Sequence, residues 1–185
     1  MTNNTNMTYE FDQYSRHYIV RGTRILFANF TGAARQFNNE GRRNFHVVVP
    51  EELAKELAEK GVYIHKLDPR NEGDDYTYTL KISVYEDAEI LMLSGRNKSH
   101  AVINNSDKSL DMGPMIDKEF AKGHVMNGSV DIEFHMARNT KVANSSPYLR
   151  ADMVVLPLRK SKLAEAYENY GGYSDYNDED DDLPM

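Results

Sequence analysis

Apolar and polar residues alternate along most of this chain, which is typical of strands that bury one face. In residues 76–85 every second side chain is apolar, so Lys81 and Tyr85 fall on the polar face with small hydroxyl residues. The same period of two predicts strands over residues 19–30, 43–49, 62–67, 90–93, 125–136 and 148–158. It also predicts that Phe27 and Phe45 face the core.

Helical spacing is confined to three short segments. The clearest is EELAKELAEK after Pro50, where Leu53 and Leu57 share a face, acids fill the first turn and Gly61 can end the helix. Residues 113–123 and 161–167 are two further candidates for short helices. Because the strands mostly follow one another instead of alternating with helices, the pattern predicts a mainly β fold, a small antiparallel barrel or sandwich.

Polar segments suggest where the folded part begins and ends. Residues 1–15 are rich in Asn and Thr and are expected to form a flexible arm, and residues 94–109 are expected to form a long loop. Residues 171–185 are expected to be a disordered acidic tail. One domain over residues 16–170 is therefore predicted, which is enough chain to bury a substantial core.

The charges are sorted along the chain. The formal net charge is −7, from 22 basic and 29 acidic residues, but six of the acids and none of the bases lie in residues 171–185. The remaining body carries a net charge of −1, and residues 13–49 and 134–163 each carry +5. A nearly neutral body with two basic segments can bind a polyanion, which the overall charge would argue against.

Several kinds of chemistry have no sequence signal. The chain has no cysteine, no glycine-rich phosphate loop and no nucleophile or metalloprotease motif, and its six histidines are far apart in sequence. We therefore predict no catalytic residues, no cofactor and no metal site. No apolar run approaches the roughly 20 residues of a membrane span, and no secretion signal opens the chain, so a cytoplasmic protein without a membrane partner is expected.

Arginines and phenylalanines are interleaved over residues 24–45, a mixture that suits single-stranded nucleic acid. Cations contact the phosphates and flat rings stack on unpaired bases. With the polar face of residues 76–85 and the second basic segment, this predicts a binding surface. Core packing of the rings and a simple hairpin corner at Arg42 and Arg43 remain open alternatives. The candidate contacts are Arg24, Phe30, Arg35, Phe37, Arg42, Arg43, Lys81, Tyr85, Lys141 and Arg150.

The chain ends in YSDYNDEDDDLPM, an acidic run closed by an apolar cluster. This resembles the acidic tip of bacterial and phage single-stranded DNA-binding proteins, in which acids followed by an apolar residue, proline and an aromatic residue recruit replication and repair proteins. Met185 stands where an aromatic residue is usual. The resemblance implies a partner-binding tail formed by Asp180, Asp181, Asp182, Leu183, Pro184 and Met185.

The stretch ANFTGAARQFNNEGRRNFHVVVPEELAKEL resembles the opening of phage single-stranded DNA-binding proteins with an OB fold, and residues 146–167 are similar to that family's closing strand and helix. The matching positions are Asn29, Phe30, Phe37, Asn38, Arg43, Asn44 and Phe45. The resemblance implies an OB-fold-like antiparallel barrel with an oligonucleotide groove on one face.

The predicted function is non-catalytic, sequence-independent binding of single-stranded DNA in phage DNA replication and recombination. The tail is expected to recruit the proteins of those processes, and a homo-oligomeric state is a further hypothesis. Two alternatives stay open: an OB-like module that binds another protein, and an RNA-binding domain.

Overall fold

The computed structural model describes residues 6–36, 38–159 and 163 of the 185-residue chain. This part contains ten strands and two helices. Their bounds are β1 Thr8–Asp12, β2 His17–Thr23, β3 Ile25–Asn29, β4 Arg43–Val49, α1 Glu51–Glu59, β5 His65–Leu67, β6 Thr77–Val84, β7 Glu89–Ser94, β8 Asn97–Ala101, α2 Gly113–Ala121, β9 Val130–Ala137 and β10 Tyr148–Pro157. The prediction of a mainly β protein is confirmed.

The described strands form one sheet in the order β1-β2-β9-β10-β6-β4-β3, with β5 paired to β6, β7 to β10, and β8 to β7. The sheet is open, so the prediction of a closed barrel is wrong. Two pairings are parallel, β10 with β6 and β10 with β7. They arise because the ten-residue β10 lies first beside β6 and then beside β7. The OB fold itself stays a prediction.

The two helices cover the buried face of the sheet. In α1, Leu53 and Leu57 are fully buried, as the spacing predicted, and Gly61 follows the helix with a φ of 92°. In α2, Ile116 is fully buried. Both predicted helices are confirmed, whereas the third candidate, residues 161–167, lies almost entirely outside the described residues.

Helix α2 begins in close contact with the end of β3. A Cβ atom at Gly113 would lie 2.4 Å from the carbonyl oxygen of Phe30, so a side chain at this position would push the helix away. The Asp117 carboxylate accepts the backbone N–H groups of Phe30 and Thr31 at 2.8 and 2.9 Å. The Phe30 ring stacks on Phe45 and Phe120, at centroid distances of 5.4 and 5.9 Å.

Three predicted segments differ from the structure. Thr8–Asp12 pairs with β2, so the prediction of a flexible arm over residues 1–15 is wrong for the residues of β1. Arg24 separates β2 from β3, where one strand was predicted over residues 19–30. Asn97–Ala101 is a strand within the loop expected over residues 94–109, because it pairs with β7 in a hairpin. The side chains of this strand are mostly exposed and polar, so the sequence pattern did not indicate it.

No helix in the described part of the chain has the length and apolar character that crossing a membrane requires.

Candidate nucleic-acid interface

The side of β4, β6 and β10 that faces away from the core carries basic and aromatic residues, and we call it the outer face. In β6, Leu80, Ile82 and Val84 are buried, which leaves Lys81 and Tyr85 exposed on the opposite side as the sequence predicted. The register pairs His46 of β4 with Lys81, and Arg150 of β10 with Ser83. Side chains of paired residues project to the same side of a sheet, so these strands form one continuous surface.

Four rings form a row at one end of the outer face. His46 lies between Phe27 and His65, with centroid distances of 5.3 and 4.7 Å, and Tyr63 contacts His65 at 4.6 Å. All three contacts are close to edge-to-face, a favoured geometry that leaves ring faces directed away from their neighbours. Phe27 and Tyr63 are 60% and 72% exposed, so both present ring surface to solvent.

The prediction that Phe27 is buried is wrong. Its φ is 53°, a conformation that bulky residues rarely adopt. The pairing of β3 with β4 also shifts register between Leu26 and Asn29, which places Phe27 within a bulge. A bulge re-aims the side chain of the extra residue, and here the ring is turned towards His46 on the outer face. Phe45, in contrast, is fully buried as predicted.

The two histidines of this row favour the neutral form. Burial lowers the pKa of His46 to about 4, and the neighbouring His65 and Lys81 add to the effect. Burial and the positive charge of Lys81 also lower the pKa of His65. At neutral pH the two imidazoles are therefore uncharged aromatic rings beside the lysine.

A second aromatic and basic group surrounds Tyr85. The guanidinium of Arg150 lies 4.2 Å from the centroid of the Tyr85 ring, and it forms an ion pair with Asp87 at 2.7 Å. That hydrogen bond lowers the pKa of Asp87 and raises the pKa of Arg150. Burial and the adjacent Tyr148 raise the pKa of Tyr85, whereas Arg150 and Arg42 oppose that rise. Arg42 is exposed, and its effect on the pKa of Tyr85 places it near Tyr85 and Arg150.

Two other predicted cations, Arg24 and Arg35, flank β3 in the sequence. Arg24 is half-buried, its carbonyl oxygen accepts the N–H of Val48 at 3.1 Å, and its Nε is buried with no hydrogen-bond partner among the described residues. Arg35 is exposed and donates to the carbonyl oxygen of Ala28 at 3.3 Å. Together with Phe27 and Phe120, it also lines a cavity of about 490 Å³.

Arg43 is buried, which corrects its prediction as a DNA contact. It shares the core-facing side of β4 with Phe45, and its guanidinium forms a bidentate pair with Asp111 at 2.9 and 3.0 Å. It also donates to Phe30 O at 2.6 Å and twice to Asn105 Oδ1. Burial alone would raise the pKa of Asp111, but hydrogen bonds from Arg43 and from backbone N–H groups hold that pKa below its ordinary value.

Two of the remaining predicted contacts, Phe30 and Lys141, lie within the described residues. Phe30 is fully buried, so the prediction that it stacks on a base is wrong; α2 covers it in the core. Lys141 is exposed in the loop between β9 and β10, and no hydrogen bond or ion pair within the described residues joins its side chain to the outer face. Phe37 and the tail residues 180–185 lie outside the described residues.

Four rings of the outer face were not among the residues predicted from the sequence: His46, His65, Tyr63 and Tyr148. His46 could have been found, because the alternation over residues 43–49 puts it opposite Phe45 and Val47. His65 required the register of β5 against β6, where it pairs with Thr79. The sequence alone does not give that register.

The chain matches the family described as "putative phage ssDNA-binding domain" over residues 9–119, which is more than half of its length. No curated protein and no solved structure matched it in the same comparisons. The matched region runs from β1 to α2, and it includes the ring row, Lys81, Tyr85 and Arg42. On this match, the chain belongs to the phage single-stranded DNA-binding domain family.

Proposed function

We propose that the protein binds single-stranded DNA along the outer face without sequence preference and without catalysis. The observation that carries this proposal is the position of Lys81, between the ring row and the group around Tyr85 and Arg150. A strand laid across these groups would meet stacking surface, a cation, and stacking surface again. Family membership supports the ligand class, and the outer face is our proposal for where it binds.

We propose five cations as contacts for the phosphates of such a strand: Arg24, Arg35, Arg42, Lys81 and Arg150. Each phosphate neutralised in a single strand contributes about −0.7 to the slope of log affinity against log salt. Five contacts therefore correspond to a slope of about −3.5, or a loss of about a hundredfold in affinity between 50 and 200 mM salt. A slope near zero would contradict binding through these cations.

The exposed rings explain why no base should be preferred. Every base has a flat face, and stacking on an aromatic side chain contributes about 1–3 kcal/mol per base whatever the base is. Phe27, Tyr63 and Tyr85 are exposed, which makes them the rings best placed to stack. No reading of base edges is needed for this mode.

Lys81→Ala tests the proposal against a matched control, Lys66→Ala. Both lysines are exposed on neighbouring strands, but Lys66 lies over the ring of Tyr76 and pairs with Tyr78, on the opposite side of the sheet from Lys81. In anisotropy titrations of labelled oligo-dT, Lys81→Ala should weaken binding and reduce the salt slope by about 0.7. Lys66→Ala should change neither. Equal effects of the two substitutions would contradict the proposed face.

The same titrations separate the alternatives left open by the sequence. An RNA-binding domain would bind oligo-U at least as tightly as oligo-dT, because contacts to 2′-hydroxyl groups favour RNA. A module that binds only protein would bind neither. We propose DNA on the strength of the family match, so oligo-dT should bind more tightly than both oligo-U and duplex DNA.

We further propose that the acidic tail recruits proteins of phage DNA replication and recombination, and that it competes with DNA for the outer face. The support is in the sequence: residues 171–185 carry six acids and no base, and they end in Leu183, Pro184 and Met185. Because such a tail resembles a phosphate chain in charge, its deletion should tighten oligo-dT binding at low salt. Unchanged affinity would contradict the competition. An OB-like fold is proposed on the resemblance alone, and a homo-oligomeric state stays a hypothesis.

A further inference from the structure

Two imidazoles and two carboxylates meet on the sheet beside Arg150. The rings of His17 and His135 stack at a centroid distance of 5.3 Å. His135 Nδ1 lies 2.9 Å from both carboxylate oxygens of Asp152, and His17 Nδ1 lies 3.4 Å from Asp152 Oδ2. Glu133 Oε1 is 2.6 Å from His17 Nδ1. The side chains are between 23% and 33% exposed, so the group is partly shielded and still reachable from solvent.

Three strands of the sheet bring this group together. His17 begins β2, and His135 lies in β9, which pairs with β2. Asp152 occupies a register shift of β10, where Ala151 pairs with Phe134 and Met153 pairs with Glu133. This bulge leaves Asp152 as the extra residue between two paired neighbours. As a result, its carboxylate reaches the ring of His135.

We propose that His17, His135 and Asp152 bind a divalent transition-metal ion of the zinc type. One potential ligand atom from each of the three lies within 4.8 Å of the others. Zinc holds nitrogen and oxygen ligands at about 2.0–2.2 Å, so two ligands of a tetrahedral site are about 3.3–3.6 Å apart. The observed separations of 2.9 and 3.4 Å between ring nitrogens and Asp152 are close to that spacing.

The donor set also selects the class of metal. Two imidazoles with carboxylate oxygens suit zinc and its first-row neighbours, whereas magnesium and calcium prefer sites built entirely from oxygen. Glu133 contacts Nδ1 of His17, the same ring nitrogen that faces Asp152, so an ion bound to this nitrogen would replace the contact with Glu133. A bound ion would join β2, β9 and β10. It would also place positive charge next to Arg150, which lies opposite His135 in the register of β10 and β9.

This inference is tested by titrating the full chain with zinc in an isothermal titration calorimeter. We expect one specific zinc per chain. His135→Ala and Asp152→Asn should each weaken binding by about tenfold or more, since even changes outside the ligand shell typically cost 10–100-fold. The matched control is His124→Ala: His124 also lies 2.8 Å from a single carboxylate, that of Glu119, but it is not part of the three-residue group. It should leave zinc affinity unchanged.

Two further measurements guard against unfolded variants and weak surface binding. Zinc at about a hundredfold excess over its Kd should raise the Tm of the unsubstituted chain by roughly 5–10 °C. Cobalt should give the visible absorption of a tetrahedral site, and that absorption should be lost in Asp152→Asn, whose size is unchanged. The inference is overturned if the unsubstituted chain shows no zinc binding, or if the site variants bind as tightly as His124→Ala. Neither outcome bears on single-stranded DNA binding.

Discussion

Arg43 gives the sharpest separation of a structural from a DNA-binding role. Its side chain and that of Asp111 are 6% and 7% exposed, and the guanidinium makes two hydrogen bonds to Asp111, two to Asn105 and one to Phe30 O. Arg43→Met removes these donors and leaves a buried carboxylate without its partner. Breaking a buried pair in this way costs about 3–5 kcal/mol of the free energy of unfolding.

The assay is urea unfolding followed by circular dichroism, combined with oligo-dT titration where the variant is folded. Arg43→Met should unfold at lower urea concentration, while its folded form keeps the DNA affinity of the unsubstituted chain. Adding Asp111→Leu should recover much of the lost stability, because replacing both members of a buried pair by apolar residues is often nearly neutral. The reasoning is refuted if Arg43→Met costs less than about 1 kcal/mol, or if folded Arg43→Met loses DNA affinity as Lys81→Ala does.

Two other substitutions test the outer face. Phe27→Ala should weaken oligo-dT binding by about 1–3 kcal/mol with little change in unfolding, because the ring is 60% exposed; Tyr76→Ala is the control, and equal losses would contradict the stacking role. His46 has a pKa of about 4 in the folded chain, against 6.5 when unfolded. The unfolded state therefore binds the extra proton, and the free energy of unfolding should fall by about 1–2 kcal/mol as the pH is lowered from 6.5 to 4, allowing for solvent screening. His46→Gln should lose this part of the pH dependence in urea titrations, and an unaltered pH dependence would refute the assignment.

Elements with strong local signals could be predicted from the sequence. Helix α1 has a proline before its first turn, two leucines on one face and Gly61 after its end, and all of these act within the segment itself. The alternation of β6 likewise gave the correct faces, so Lys81 and Tyr85 were placed on the exposed side.

Features that depend on pairing between distant segments could not be predicted. Phe27 follows a period-two pattern, but a bulge against β4 reverses the direction of its side chain. Asp152 reaches His135 through a bulge in β10. The strand β8 has four exposed polar residues, and it is a strand because backbone hydrogen bonds to β7 hold it.

Arg43 is a different case, because its burial could have been predicted. The period of two over residues 43–49 puts Arg43 on the same side as Phe45 and Val47, which points to the core. A charged residue at a core-facing position needs a buried partner. That partner, Asp111, lies 68 residues further along the chain, so only the burial and not the ion pair could be read from the pattern.

The most direct test of the central claim is ultraviolet crosslinking of the full chain to oligo-dT, with the crosslinked residues identified by mass spectrometry. Stacking of thymine on the outer face predicts crosslinks at Phe27, Tyr63 and Tyr85. Tyr76 is the internal control, since it is 48% exposed against 42% for Tyr85 but lies with Lys66 away from the outer face. Crosslinks at Tyr76 with none at Phe27, Tyr63 or Tyr85 would contradict the account.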